Sequence, residues 1–152
     1  MPLENRRFFA AQAWVAGAWA HDVLLEVDAA GSWSSVQTHV PLKARQGASV
    51  LAGPVLPGLV NAHSHAFQRS MAGLAEQRGA QGDDFWSWRE RMYAVALRIS
   101  AAQLEAVATR LYTELLAGGY TQVCEFHYLH NAPADAPAAD PLDMSMALVR
   151  AA

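Results

Sequence analysis

The segment VLAGPVLPGLVNAHSH, residues 50–65, constrains this chain more than any other. It is apolar from Val50 to Val60, but Gly53-Pro54 and Pro57-Gly58 interrupt it, so no helix can run through it. What remains is a short apolar strand that turns polar at Asn61 and leads into His63-Ser64-His65. Side chains two apart on a strand share a face. The two imidazoles can therefore meet on one metal ion, with Asn61 beside them and Ala62 and Ser64 turned away. A bare His-x-His is a weak signal, and a hydrogen-bonded structural pair is the alternative on the residues alone.

Downstream the pattern becomes helical. Asp83 or Asp84 can cap a segment through Phe85, Trp86, Met92, Tyr93 and Leu97. Ser100 and Gln103 form a capping box for the next helix, with Ile99 and Leu104 spaced as a hydrophobic staple. Leu104, Val107, Ala108, Leu111 and Leu115 recur at helical spacing until Gly118-Gly119. Tyr120–Phe126 then reads as a strand, and Asp140-Pro141 with Asp143 opens a further helix. Short strands alternating with helices predict parallel βα units and an α/β fold. The last apolar segment, with Met144, Met146, Leu148 and Val149, meets neither glycine nor proline before Ala152. A chain that continues further is expected.

Residues 1–52 read as short strands instead. Val23–Asp28 ends in alternation, Ala30-Gly31-Ser32 supplies a turn, and Trp33–Val40 forms another strand. Arg6-Arg7 ahead of the apolar run Phe8–Ala20 mimic an export leader. Gln12 and the glycine and tryptophan positions break its helical character, so a first strand is the favoured reading.

Composition narrows the function classes. The chain is 53% hydrophobic, enough for a core and too much for a disordered chain. Its 11 basic residues are scattered among 14 acidic ones, so no basic stripe exists to neutralise phosphates, and no nucleic-acid partner is expected. No run approaches the roughly 18 apolar residues of a membrane span. The single Cys124 excludes an internal disulfide framework and fits a reducing, cytoplasmic setting, where it would serve as a small buried hydrophobe.

Three segments carry a family resemblance. VLPGLVNAHSH resembles the first barrel strand of the amidohydrolase superfamily, whose members hold one or two divalent metals in a (β/α)₈ barrel beside a small β-sandwich. HSHAFQRSMAGLAE, FWSWRERMY and GYTQVCEFHYLH, in that order, resemble the branch that hydrolyses N-formimidoyl-L-glutamate in histidine breakdown. GAWAHDV is similar to that branch's first strands. The resemblance implies a β-sandwich segment over residues 1–52. It also implies the first part of a TIM-type (β/α)₈ barrel, truncated, over residues 53–152. Such a barrel typically takes about 250 residues.

The resemblance further implies that His63 and His65 ligate one zinc ion per subunit and that Gln68, Arg89 and Tyr128 contact the substrate. Those types suit a dicarboxylate bearing a formimino group: a guanidinium fork for a carboxylate, and an amide and a phenol for polar atoms. It places the remaining zinc ligands and the general acid/base outside these residues, so the chain alone is expected to be inactive. A homodimer is implied for the full-length enzyme. His127 and His130 fall where the branch has no ligands, and Trp86 and Trp88 are expected to pack. Glu125 could orient a neighbour, and His21 and His39 read as structural or surface residues. Two alternatives stay open: a guanine or related heterocycle deaminase of the same superfamily, and a non-catalytic domain with structural histidines.

Overall fold

The computed structural model describes residues 6–74, 85–131, 133 and 140–152. The chain divides into two compact units, Met1–Pro57 and Gly58–Ala152. In the first, β1 (Arg6–Val15) and β2 (Ala18–Val27) pair antiparallel about an Ala16-Gly17 turn. Both turn residues have positive φ, 49° and 85°, which gives the turn the twist of its flanking strands. The export-like run thus forms strand and turn. β3 (Trp33–Gln37) adds antiparallel to β2, and β4 (Ser49–Val50) adds parallel to β1. The sheet order is β3-β2-β1-β4.

Strand alternation sends consecutive side chains of this sheet to opposite faces, and both faces are covered. Ala10, Val23 and Leu25 pack together on one, joined by Ala13 beyond a break in the alternation at Ala11 and Asp22, where Asp22 has a φ of 51°, while Phe9 and Leu24 pack with Val40 on the other. Arg7 ties the layers, donating to Glu26 Oε1 at 2.8 Å and to the carbonyls of Gln46 and Ala44. β3 stops before the predicted Val40. His39 takes a φ of 56°, and the N–H groups of His39 and Val40 donate to the carbonyls of His21 and Asp22.

The second unit is a β-α-β arrangement. β5 (Leu59–Ser64) pairs parallel with β6 (Tyr120–Glu125). Between them lie a 3₁₀ helix (Ala66–Met71), α1 (Phe85–Ala96) and α2 (Ala101–Ala117), and α3 (Asp143–Ala151) follows β6. This is the α/β alternation read from the sequence. α2 begins at the predicted capping box, with both Ser100 and Gln103 bonds present, and ends at Gly118-Gly119. The candidate caps Asp83 and Asp84 of α1 lie outside the described residues.

Ala66, Phe67, Ile99, Leu104, Ala108, Met144, Ala147 and Leu148 form the core of this unit. Ile99 and Leu104, the predicted staple, both belong to it. Burying a leucine such as Leu104 contributes on the order of 1.5–3 kcal/mol. The 3₁₀ helix is anchored to α2 by a two-pronged ion pair from Arg69 to Glu114, at 2.8 and 2.9 Å. Gly58 permits β5 to approach β6, because a Cβ there would overlap the Thr121 side chain. Among the described residues no helix is long and apolar enough to cross a membrane.

Candidate functional site

The site grows from the end of β5. Ser64 turns inward and is buried, while His63 and His65 emerge on the other face, as period 2 requires. Their Nε2 atoms lie 2.8 Å apart, with the rings edge to face. The Asn61 Oδ1 accepts from the His63 backbone N–H at 3.2 Å. The ladder shifts here, since Asn61 pairs with Val123 but Ser64 pairs with Glu125, so β5 carries an extra residue. His65 then leaves the strand at φ −132°, ψ 79° and opens the 3₁₀ helix.

One contact fixes the chemistry of the pair. His65 Nδ1 lies 3.1 Å from the Phe126 carbonyl oxygen. A carbonyl only accepts, so Nδ1 carries the proton, and the Nε2 of the neutral ring is left with a free lone pair. Without a cation, His63 Nε2–H donates to that lone pair. With His63 in its other tautomer, two lone pairs face one point. The donor set therefore suits a divalent metal with nitrogen preference, and the Phe126 carbonyl is the kind of partner that orients a ligating histidine.

Aromatic side chains wall the pair. Phe126 lies parallel to the His63 ring at 6.3 Å and edge-on to His65 at 5.4 Å. Tyr128 lies 5.1 Å from the His65 ring and 5.5 Å from Phe67. Gln68 Nε2 donates to the Tyr128 hydroxyl at 3.3 Å, and both polar atoms lie 3.8 Å from Met92 Sδ. The structure thus brings His63, His65, Gln68 and Tyr128 into one cluster.

It does not bring Arg89 into contact with that cluster. The Arg89 guanidinium lies over Trp86 and Tyr93 of its own helix, 5.7 and 5.1 Å from their rings, and donates to the Tyr93 hydroxyl at 3.4 Å. Among the described residues it makes no ion pair, so its fork is open to an anion. Tyr93 lines both the recess beside Arg89 and a cleft shared with Met92, Tyr128 and His130.

Two expectations, on Cys124 and Trp86, need correction. Cys124 is exposed, because the face of β6 that carries it has no covering layer among the described residues. Trp86 does not pack into a core. It is 62% exposed, with Phe85 and Arg89 as ring neighbours. His127 and His130 stack edge to face at 5.0 Å, and burial, then the neighbouring His130, pushes the His127 ring below the usual histidine range. No group of three or more His, Cys, Asp or Glu suited to a metal occurs among the described residues. His21 and His39 are exposed.

Two contributors were not assigned from the sequence. The Phe126 carbonyl carries no residue signature at all. Glu125 accepts from the Ala66 N–H at 2.7 Å and from the Tyr112 hydroxyl at 3.2 Å. Burial and the Glu125 charge raise the Tyr112 phenol well above its ordinary range. Strand alternation could have placed Glu125 near Ser64, but not its bond to the turn after His65.

A histidine pair at the end of a parallel strand is the setting of a known class, and residues 55–150 match the model of the amidohydrolase family. The chain belongs to that family. Within it, the chain is 46% identical over 144 residues to a formimidoylglutamate deiminase of Pseudomonas aeruginosa, an alignment covering 95% of this chain and 31% of the relative. The crystal structure of an amidohydrolase from Brucella melitensis superposes with a TM-score of 0.84 at 41% identity, over 96% of this chain and 32% of that one. An atrazine chlorohydrolase from Arthrobacter aurescens, solved in complex with zinc, shares the fold with a TM-score of 0.62 at 17% identity, covering 95% of this chain and 32% of that one. The chain spans just under a third of the length of these relatives.

Proposed function

We propose that these residues form part of a metal-dependent iminohydrolase that converts N-formimidoyl-L-glutamate and water to N-formyl-L-glutamate and ammonia, a step of histidine catabolism. The observation that carries the reading is the convergence of His63 and His65 Nε2, 2.8 Å apart beside Gln68 and Tyr128, in a chain 46% identical to a formimidoylglutamate deiminase. In this reading β5, β6 and the helices between and after them begin a (β/α)₈ barrel, and the first unit belongs to a flanking β-sandwich. The site then lies at the carboxyl ends of the strands, where such barrels carry their chemistry.

His63 and His65 would hold one zinc ion, as their imidazole donors suit it. When bound, the metal supplies Lewis acidity that makes water nucleophilic near neutral pH. The chain's own residues bind and orient. The Phe126 carbonyl keeps the His65 proton on Nδ1 and its Nε2 lone pair directed at the site. Gln68 and Tyr128 offer an amide and a hydroxyl to polar substrate atoms, and Arg89 offers its planar fork to a carboxylate. Phe126 and Tyr128 pack beside the two imidazoles and limit how the rings can turn. Two protein donors among the described residues fall short of the three usual for catalytic zinc, so in this reading further ligands and the proton-transferring groups come from other parts of the full-length protein. The assembled enzyme is proposed to be a cytoplasmic homodimer.

The test is an ammonia-release assay on the complete protein that contains this sequence, with N-formimidoyl-L-glutamate and guanine as parallel substrates. Release from the first alone is expected. Release from guanine alone would make the protein a heterocycle deaminase and overturn the proposal.

A further inference from the structure

The inference concerns Glu125 and rests on the metal reading of His65. Every side chain in the cluster is delivered by β5, α1 or the segments just after β5 and β6, but the backbone around His65 is held by two consecutive residues at the end of β6. Phe126 N–H donates to the Ser64 carbonyl at 2.8 Å, immediately before His65. Glu125 Oε1 accepts from the Ala66 N–H at 2.7 Å, immediately after it. The Phe126 carbonyl takes the His65 ring proton at 3.1 Å. His65 is thus gripped on its N-terminal side, on its C-terminal side and at its ring.

Only the C-terminal grip is a side chain. His65 follows the last ladder pair of β5, Ser64 with Glu125, and lies past the end of the strand, so no ladder hydrogen bond of its own sets its orientation. The first N–H groups of a 3₁₀ helix have no partner within the helix. A carboxylate that spans from the neighbouring strand to the Ala66 N–H supplies that partner and sets the angle at which the chain turns after His65. The second oxygen of Glu125 is held by the Tyr112 hydroxyl of α2 at 3.2 Å, so the carboxylate itself has little freedom.

We propose that Glu125 is a positioning residue for the metal-ligating His65, acting through the Ala66 N–H to aim the His65 ring so that Nδ1–H meets the Phe126 carbonyl and Nε2 faces the site. Glutamine at this position keeps both the reach and an acceptor oxygen. Aspartate keeps the charge but loses a methylene of reach.

The experiment uses metal-free protein labelled with 15N-histidine, with the His65 signals assigned from His65→Ala. Wild type and Glu125→Gln are expected to show a protonated Nδ1 and an unprotonated Nε2 at His65. Glu125→Ala and Glu125→Asp are expected to lose that asymmetry to a tautomer mixture. In the complete protein, zinc affinity measured by chelator competition should fall about 10–100-fold in the Ala and Asp variants and less than about 3-fold in the Gln variant.

A wild-type His65 signature in Glu125→Ala or Glu125→Asp overturns the proposal, as does its loss in a folded Glu125→Gln. If Glu125→Ala unfolds by circular dichroism, the Asp and Gln variants decide between reach and bulk structure. Absence of zinc binding in wild type would sink the metal reading, while the ring signature would still judge Glu125.

Discussion

At His65, strand periodicity brings the imidazole to the right face but leaves its tautomer open. The spacing of His63 and His65 made their meeting legible, because period 2 is a property of the strand itself. The partner that directs the ring is a backbone carbonyl of Phe126, and any residue there would present the same atom. The opposite case is Arg89, whose type suggests an anion clamp while its contacts among the described residues are with its own helix. Its role is therefore tested by loss. Arg89→Met in the complete protein should weaken substrate binding by about 1.5–3 kcal/mol, the usual worth of a hydrogen bond to a charged group. That loss would appear as a raised KM for N-formimidoyl-L-glutamate with kcat little changed. An unaltered KM would remove Arg89 from the site.

Among the elements, α2 was legible at both ends because its signals are local: Ser100 and Gln103 at the start, Gly118-Gly119 at the stop. The end of β3 was not, since the positive φ of Asp22 and His39 arises at non-glycine residues, where it is uncommon and not announced as a glycine would announce it. Gly58 illustrates a third situation, where Pro57-Gly58 read as a turn but the glycine is also demanded by the Thr121 side chain of β6. Gly58→Ala should cost about 1–3 kcal/mol through overpacking, measured by urea unfolding. An unchanged midpoint would show that β5 and β6 can separate freely there.

The 3₁₀ helix after His65 depends on acid–base state through Glu114. The hydrogen bonds from Arg69, then from Arg110, hold the Glu114 carboxyl down to about 2 from an ordinary 4.5. A depressed folded pKa means the pairing stabilises fully above the ordinary value and drains away as pH falls from 4.5 towards 2. Glu114→Gln should therefore flatten the acid dependence of stability in that window, followed by circular dichroism at fixed temperature. An identical acid profile in wild type and variant would show that the ion pair contributes nothing, as many exposed pairs do.

For the whole molecule, alternation of strand and helix announced the α/β class, and the family match over residues 55–150 agrees with it. What local pattern could not convey is how much of a site 152 residues hold, because the proposed barrel would gather its functional groups from the ends of several strands. The described residues leave Leu59, Val60 and Leu116 at least half exposed, apolar surface that the barrel reading would cover with further βα units. The central claim is that His63 and His65 are metal ligands rather than a structural pair. Zinc titrated calorimetrically into the metal-stripped complete protein tests it most directly. The account predicts stoichiometric uptake in wild type and an affinity lower by at least about 100-fold in the His63→Ala/His65→Ala variant, since two of its imidazole donors are gone. Equal uptake by the two proteins, or none by wild type, would contradict it.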